Sequence, residues 1–195
     1  MTTDLSRQKA ALRKQIRGVL QTISPSGRAA LSAQLRDRLR EQAIWKNAGS
    51  ILFFAPLPDE PDFWPLLDEA LAAGKTAALP RFDPDGQGYG AGRLQDPKHD
   101  LVAGQFGIRE PLARCAEIPL GRLDLVLVPG VAFDARGRRL GRGKGFYDRL
   151  LTEVRGVKCG TLFDEQLLSE IPAGPADIRM DFIVTPVRAT EIITD

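Results

Sequence analysis

Leu125-Val-Leu-Val-Pro-Gly130 and, soon after it, Arg139-Leu-Gly-Arg-Gly-Lys-Gly-Phe-Tyr-Asp148 place a buried strand just before a glycine-rich basic loop. The run Leu125–Val128 has no polar alternation. A strand of that kind is expected where both faces of a sheet are covered, as in parallel sheets. Pro129-Gly130 stops it. In the loop, Gly141, Gly143 and Gly145 allow close backbone approach and positive φ. Arg142 and Lys144 place cations at the same point. Backbone N–H groups, cations and a following helix together read as a polyphosphate site. Asp148 stands where a metal ion accompanying the phosphate would need a carboxylate.

Outward from this stretch, apolar runs alternate with helical patterns. Leu5, Leu12, Ile16, Val19, Leu20 and Ile23 recur at helical spacing over residues 4–22. Lys9, Arg13 and Arg17 form a basic row beside that stripe. Ser24-Pro25 is a cap and first-turn pair for a second helix running to about Trp45. Ser50–Ala55 reads as a strand ended by Pro56. Asp62–Ala73 reads as a helix closed by Gly74, and Thr76–Leu79 as a strand ended by Pro80. Residues 83–122 are irregular, with short strands near Tyr89–Leu94 and His99–Val102. A helix from Gly145 to Val154 follows the loop, then strands at Val157–Phe163 and Phe182–Thr185, with a short helix near Glu165–Ser169 between them. Alternating strands and helices predict a three-layer α/β sandwich, its sheet largely parallel with helices on both faces. Ligands of such sheets bind beyond the carboxyl ends of strands. That brings the loops after Ala55, Leu79 and Val128 together.

The chain has 195 residues, 43% hydrophobic and 27% charged, with a net charge of +2. This is ordinary globular composition and argues against general nucleic-acid binding. Charge is unevenly spread. Asp134–Arg149 holds six basic and two acidic residues, whereas Asp164 to the end holds seven acidic and two basic. Cys115 and Cys159 match no metal spacing and read as a reduced pair. No apolar run approaches a membrane span, and the amino terminus lacks a signal-peptide core, so the expectation is a bacterial cytoplasmic protein. His99 is the only histidine, which removes histidine metal sites and Ser–His–Asp chemistry from consideration.

Each feature also has a plainer reading. The glycine-rich loop is neither a Walker loop nor a dinucleotide fingerprint, its offsets fitting neither, and the plain alternative is a solvated Gly/Arg turn. Lys9 and Arg13 read first as a solvated helix face. Arg136 and Arg138 read as solvated turn residues, and Asp134 as a turn cap. Glu60 is either a loop acid or a ligand-binding carboxylate. Arg81 is placed at a strand end where an anion would fit. Asp181 is by default a strand-edge acid.

The stretch from Pro129-Gly through Phe133-Asp to Arg139-Leu-Gly-Arg-Gly-Lys-Gly-Phe-Tyr-Asp148 resembles the 5-formyltetrahydrofolate cyclo-ligase (5,10-methenyltetrahydrofolate synthetase) family. Lys9-x-x-x-Arg13, Asp59-Glu60, Pro80-Arg81 and Asp181 follow the family's other landmarks in order. The resemblance implies one such domain over residues 1–195, with a NagB/RpiA/CoA-transferase-like fold. It implies a ligase forming a C–N bond, using ATP and Mg²⁺ to close 5-formyltetrahydrofolate, with or without a polyglutamate tail, through a phosphorylated formyl group. Carried over, Lys9, Arg13 and Arg139, Leu140, Gly141, Arg142, Gly143, Lys144, Gly145, Phe146 and Tyr147 would bind ATP. Arg142 and Lys144 would be catalytic. Ala55, Glu60 and Phe146 would contact the folate, and Asp148 and Asp181 would bind Mg²⁺. A cytoplasmic monomer without nucleic-acid or membrane partners is expected. The family commonly has a tyrosine at Phe146, so any hydroxyl role is lost there while stacking remains. Two other readings stay open: another ATP-dependent small-molecule enzyme on the same fold, and an RNA-binding relative that uses the basic loop.

Overall fold

The computed structural model describes residues 2–83, 88–104, 107–174 and 177–193. Part of the 83–122 stretch, residues 84–87 and 105–106, therefore lies outside the described residues.

Helix α1 spans Thr2–Gln21 and buries Ile16 and Leu20. Helix α2 spans Pro25–Glu41. Ser24 caps it by accepting from the Gly27 N–H at 3.0 Å, and Pro25 supplies a helical φ at the first position. The helix expected to reach Trp45 stops earlier. Gln42 is extended (φ −78°, ψ 144°), and a short helix α3, Ala43–Asn47, starts on a new axis that buries Trp45. Strand β1 is Ser50–Leu52, helix α4 is Trp64–Ala72, and strand β2 is Thr76–Asp83.

β2 passes straight through Pro80, contrary to the expected stop. The alternation explains why. Thr76 and Ala78 turn their polar backbone groups toward β1, donating to Gly49 and accepting from Phe53 respectively. Pro80 has the same orientation, but β1 has already ended, so its missing N–H costs no ladder bond. Beyond that point β2 pairs only with β3, Gly88–Leu94. Strands β4 (Leu101–Ala103) and β5 (Arg109–Pro111) make a small ribbon, and β6 is Glu117–Ile118. β7 is Leu125–Val128, as expected. β8 (Ala132–Asp134) and β9 (Arg139–Leu140) form a hairpin too short for a periodicity signal. Then come α5 (Phe146–Thr152), β10 (Val157–Thr161), a 3₁₀ turn at Asp164–Gln166, β11 (Leu167–Leu168), β12 (Phe182–Val184) and β13 (Ala189–Glu191).

The main sheet runs β13-β12-β10-β7-β1-β2-β3-β6. Its middle, β12 through β2, is parallel, and the outer strands are antiparallel. Leu125 and Leu127 face a core closed by α2 and α4, while Val126 and Val128 face one closed by α5. Both faces of β7 are thus covered, which is why the strand reads as uninterrupted apolar sequence. A third cluster joins Ile16 and Leu20 of α1 to Val131, Leu140 and Phe163, fastening α1 beside the β8–β9 hairpin. Among the described residues no helix is long and apolar enough to cross a membrane. Cys115 and Cys159 are free and buried.

The hairpin depends on Asp134, which is fully buried. One carboxylate oxygen accepts from the backbone of Arg136 and Arg138. The other accepts from the Arg138 guanidinium at 2.7 Å and from Ile171 N–H at 3.1 Å. Arg138, expected to be solvated, is instead bound to Asp134 and Glu170. Replacement Asp134→Ala leaves these donors unpaired. It is expected to destabilise the protein by about 3 kcal/mol, read as a lower urea midpoint at unchanged m value.

Candidate active site

A cleft of about 530 Å³ opens over the carboxyl ends of β1, β2 and β7. The loops expected after β1 and β7 converge there, and in place of a loop after Leu79 the continuing strand β2 supplies Pro80. Phe54, Ala55, Leu57 and Glu60 come from the β1–α4 connection, Pro80 from β2, and Pro129 and Gly130 from the end of β7. The glycine-rich segment forms one wall from Arg139 to Asp148, and α1 contributes Lys9 and Arg13. Lys9 and Arg13 are therefore not a merely solvated helix face.

The loop's conformation uses its glycines. Gly143 (φ 101°) and Gly145 (φ 68°) take positive φ, where a side chain would be strained. Gly141 keeps negative φ, and a Cβ there would lie 2.8 Å from Arg139 Nη1. Its carbonyl accepts from Arg13 Nε at 2.8 Å, docking the loop onto α1. Leu140 is buried in the core beneath α1. α5 has only seven residues, so the flanking cations outweigh its dipole.

Charges in the cleft are largely paired. Lys9 Nζ donates to Asp177 at 2.8 Å, and Arg139 Nη2 to Asp148 at 2.7 Å. Arg139 also lies over the Tyr147 ring at 5.6 Å, and its Nε is buried without a hydrogen-bond partner among the described residues. Burial pushes the Tyr147 phenol up, so it stays protonated. Arg142 reaches across to the β1 loop. Its Nε and Nη2 donate to one Glu60 oxygen at 3.0 and 2.8 Å, and Nη2 also to Asp59 at 2.7 Å. The other Glu60 oxygen accepts from Leu57 N–H at 3.0 Å, and Arg28 holds the Pro58 carbonyl at 2.6 Å. Glu60 is only 9% exposed. Its burial raises the carboxyl above its ordinary range, against the lowering pull of Arg142. Burial would lower the Arg142 guanidinium, but Glu60 and Asp59 more than offset that.

An aromatic wall borders the cleft through Tyr89 and Phe146, and Phe82 packs against both. Phe82, Tyr89 and Phe146 meet edge to face, with centroids 5.2–5.9 Å apart. Tyr89 was not singled out in the sequence, and neither was Glu110, which is buried, borders the cleft and holds Phe82 N–H at 3.0 Å. Their signal was weak because both lie within the irregular 83–122 stretch.

The expected pairing of Asp148 with Asp181 does not form. β12 runs parallel to β10, with Phe182 beside Cys159. The residue before β12 therefore lies at the amino ends of the strands, where Asp181 accepts from the Lys158 N–H at 2.8 Å and Nζ at 3.0 Å. Asp177, four positions earlier in the chain, is the aspartate that borders the cleft with Asp148. Arg81 likewise does not line the cleft. It donates to the Leu112 and Cys115 carbonyls and pairs with Glu117.

The profile of the 5-formyltetrahydrofolate cyclo-ligase family matches residues 5–186. The chain belongs to this family. Its relatives include the 5-formyltetrahydrofolate cyclo-ligase of Mycolicibacterium smegmatis, 34% identical over 93% of this chain and 95% of that protein. The enzyme of the same name from Escherichia coli K12 is 32% identical over 90% of this chain and 99% of its own length. The Aquifex aeolicus 5,10-methenyltetrahydrofolate synthetase structure superposes with a TM-score of 0.87 at 32% identity, covering 96% of this chain and 94% of that one. The three-layer α/β fold is thus shared with a solved member of the family.

Because burial raises the Glu60 carboxyl, the folded protein binds that proton more tightly than the unfolded chain does. Stability contributed by this group therefore grows as pH falls from neutral toward the ordinary carboxylate range, and is lost as pH rises through the raised value. Thermal melts of wild type and Glu60→Gln should diverge in favour of wild type on acidification. Divergence in the opposite direction would show that the Arg142 pair outweighs burial.

Proposed function

We propose that this protein closes 5-formyltetrahydrofolate to 5,10-methenyltetrahydrofolate at the expense of Mg-ATP, releasing ADP and phosphate, as a cytoplasmic monomer. The observation that carries this reading is the Arg142–Glu60 ion pair. It joins the glycine-rich loop to the β1 loop inside one cleft, so a phosphate and a pterin bound at these loops would meet.

The chemistry asks for positioning and charge neutralisation more than for a general base. The formyl oxygen attacks the γ-phosphorus and the P–O bond to ADP breaks. N10 then adds to the activated carbon, phosphate leaves with its oxygen, and N10 loses its proton. Lys9, Arg13, Arg142 and Lys144 neutralise phosphate charge that builds as ADP departs. Glu60 accepts from pterin N–H donors once Arg142 turns to the phosphates. Phe146 with Phe82 and Tyr89 provides the apolar wall against which the folate rings stack, a role that needs no hydroxyl at Phe146.

Asp148 and Asp177 would hold the Mg²⁺. Hard oxygen donors in this number fit an ion that takes one or two protein carboxylates and completes its shell with phosphate oxygens and water. Among the described residues no three potential ligands cluster. The ion would supply charge neutralisation at the β- and γ-phosphates.

Formation of the methenyl product, followed by absorbance with and without Mg-ATP, tests the reading; an inert wild type under both conditions overturns it. Arg142→Ala and Lys144→Ala should each lower kcat by about a hundredfold, and wild-type turnover in both would remove the phosphate clamp. Mg²⁺ titrations should shift to higher concentration for Asp148→Asn and Asp177→Asn and stay in place for Asp181→Asn. The reverse ranking would return Asp181 to the metal site.

A further inference from the structure

Six cations border the cleft: Lys9, Arg13, Arg109, Arg139, Arg142 and Lys144. Five belong to α1 or the glycine-rich loop. Arg109 does not. It starts β5, whose ribbon packs over β2 and β3, whereas α1 packs on the turn that follows β10. Across the sheet order the α1 cations and Arg109 therefore stand at opposite ends of the cleft, with the loops after β7 and β1 between them.

Arg109 is also held differently. Lys9, Arg139 and Arg142 each have a carboxylate partner. Arg109 makes no ion pair with any described residue. Its guanidinium lies 4.7 Å from the centroid of the Trp64 ring and donates to the Pro97 carbonyl at 3.2 Å. Both contacts restrict the side chain without cancelling its charge, and a restricted cation loses little entropy on meeting an anion. Beside it, Ile108 and Leu57 line the cleft, and the aromatic wall of Phe82, Tyr89 and Phe146 leads back toward the glycine-rich loop.

Resting on the function proposed above, we propose that Arg109 is a specificity-determining residue that pairs with a carboxylate of the glutamate tail of the folate. The substrate's chemistry fits this layout. Its pterin carries the reacting nitrogens and must lie near the nucleotide phosphates. Its aminobenzoyl ring is apolar, and its anionic carboxylates lie at the far end. The nucleotide's own anions fall to the α1 and loop cations. The remaining cation stands where the rings would deliver the tail.

The test compares 5-formyltetrahydrofolate with 5-formyltetrahydropteroate, which lacks the glutamate, in wild type, Arg109→Ala and Arg109→Gln. Both variants should raise KM for the glutamyl substrate about five- to twentyfold, the range for a partly exposed charge-assisted contact. Their kcat and their KM for ATP should stay at wild-type values, and KM for the tail-less substrate should not change. Equal increases for both substrates would mean Arg109 only supports the β4–β5 ribbon and would overturn the proposal, as would unchanged KM for both. Calorimetric Kd values for the two compounds give the same contrast without turnover. An inactive wild type thus counts against the functional reading, while Arg109 stands or falls on the binding contrast.

Discussion

Five neighbouring strands, β12 through β2, run in one direction, and the loops that build the cleft are placed by that constraint. Parallel strands put all their carboxyl ends on one edge of the sheet. The loops that leave that edge have nowhere to go but over it, and there they make the cleft. The cost is that both sheet faces must be covered, which α2 and α4 do on one side and α5 on the other. The same rule explains why Asp181 is remote: it enters a strand, and entering residues lie at the opposite edge.

Within the cleft, the dominant feature is charge held in reserve. Arg142 is shared between Glu60 and Asp59, Arg139 is held by Asp148, and Lys9 by Asp177. The Lys9 and Arg142 pairs join segments distant in sequence, the Arg139 pair closes the glycine-rich stretch on itself, and each joins a cation suited to phosphate with a carboxylate suited to pterin or metal. A bound nucleotide would replace the carboxylate partners of the cations, freeing those carboxylates for the other ligands. Opposite charges at close range in a partly buried site make such exchange energetically mild, because no charge is left bare at any stage.

Much of this was legible in the chain. The apolar run Leu125–Val128 signalled a covered strand, and the alternation of elements signalled the layered α/β fold. Gly143 and Gly145 signalled positive φ ahead of α5. The misses share a cause. Pro80 looks like a strand stop until one sees that its missing N–H faces past the end of β1. Asp134 caps its turn as read, but Arg138 looks like a solvated turn residue until the hairpin folds it onto Asp134 and Glu170. Tyr89, Glu110 and Arg109 sit in a stretch without periodicity, and their roles come from how β3 and β5 pack on β2.

Local patterns therefore specify the strands, the helices, the loop chemistry and the family signature, because each depends on residues near one another in sequence. Partnership does not. Which aspartate joins Asp148 in lining the cleft, which carboxylate neutralises Arg142, and where Arg109 stands depend on strand direction and register. Those follow from packing over the whole sheet, so Asp177, Glu60 and Arg109 acquired their places only when the chain was folded.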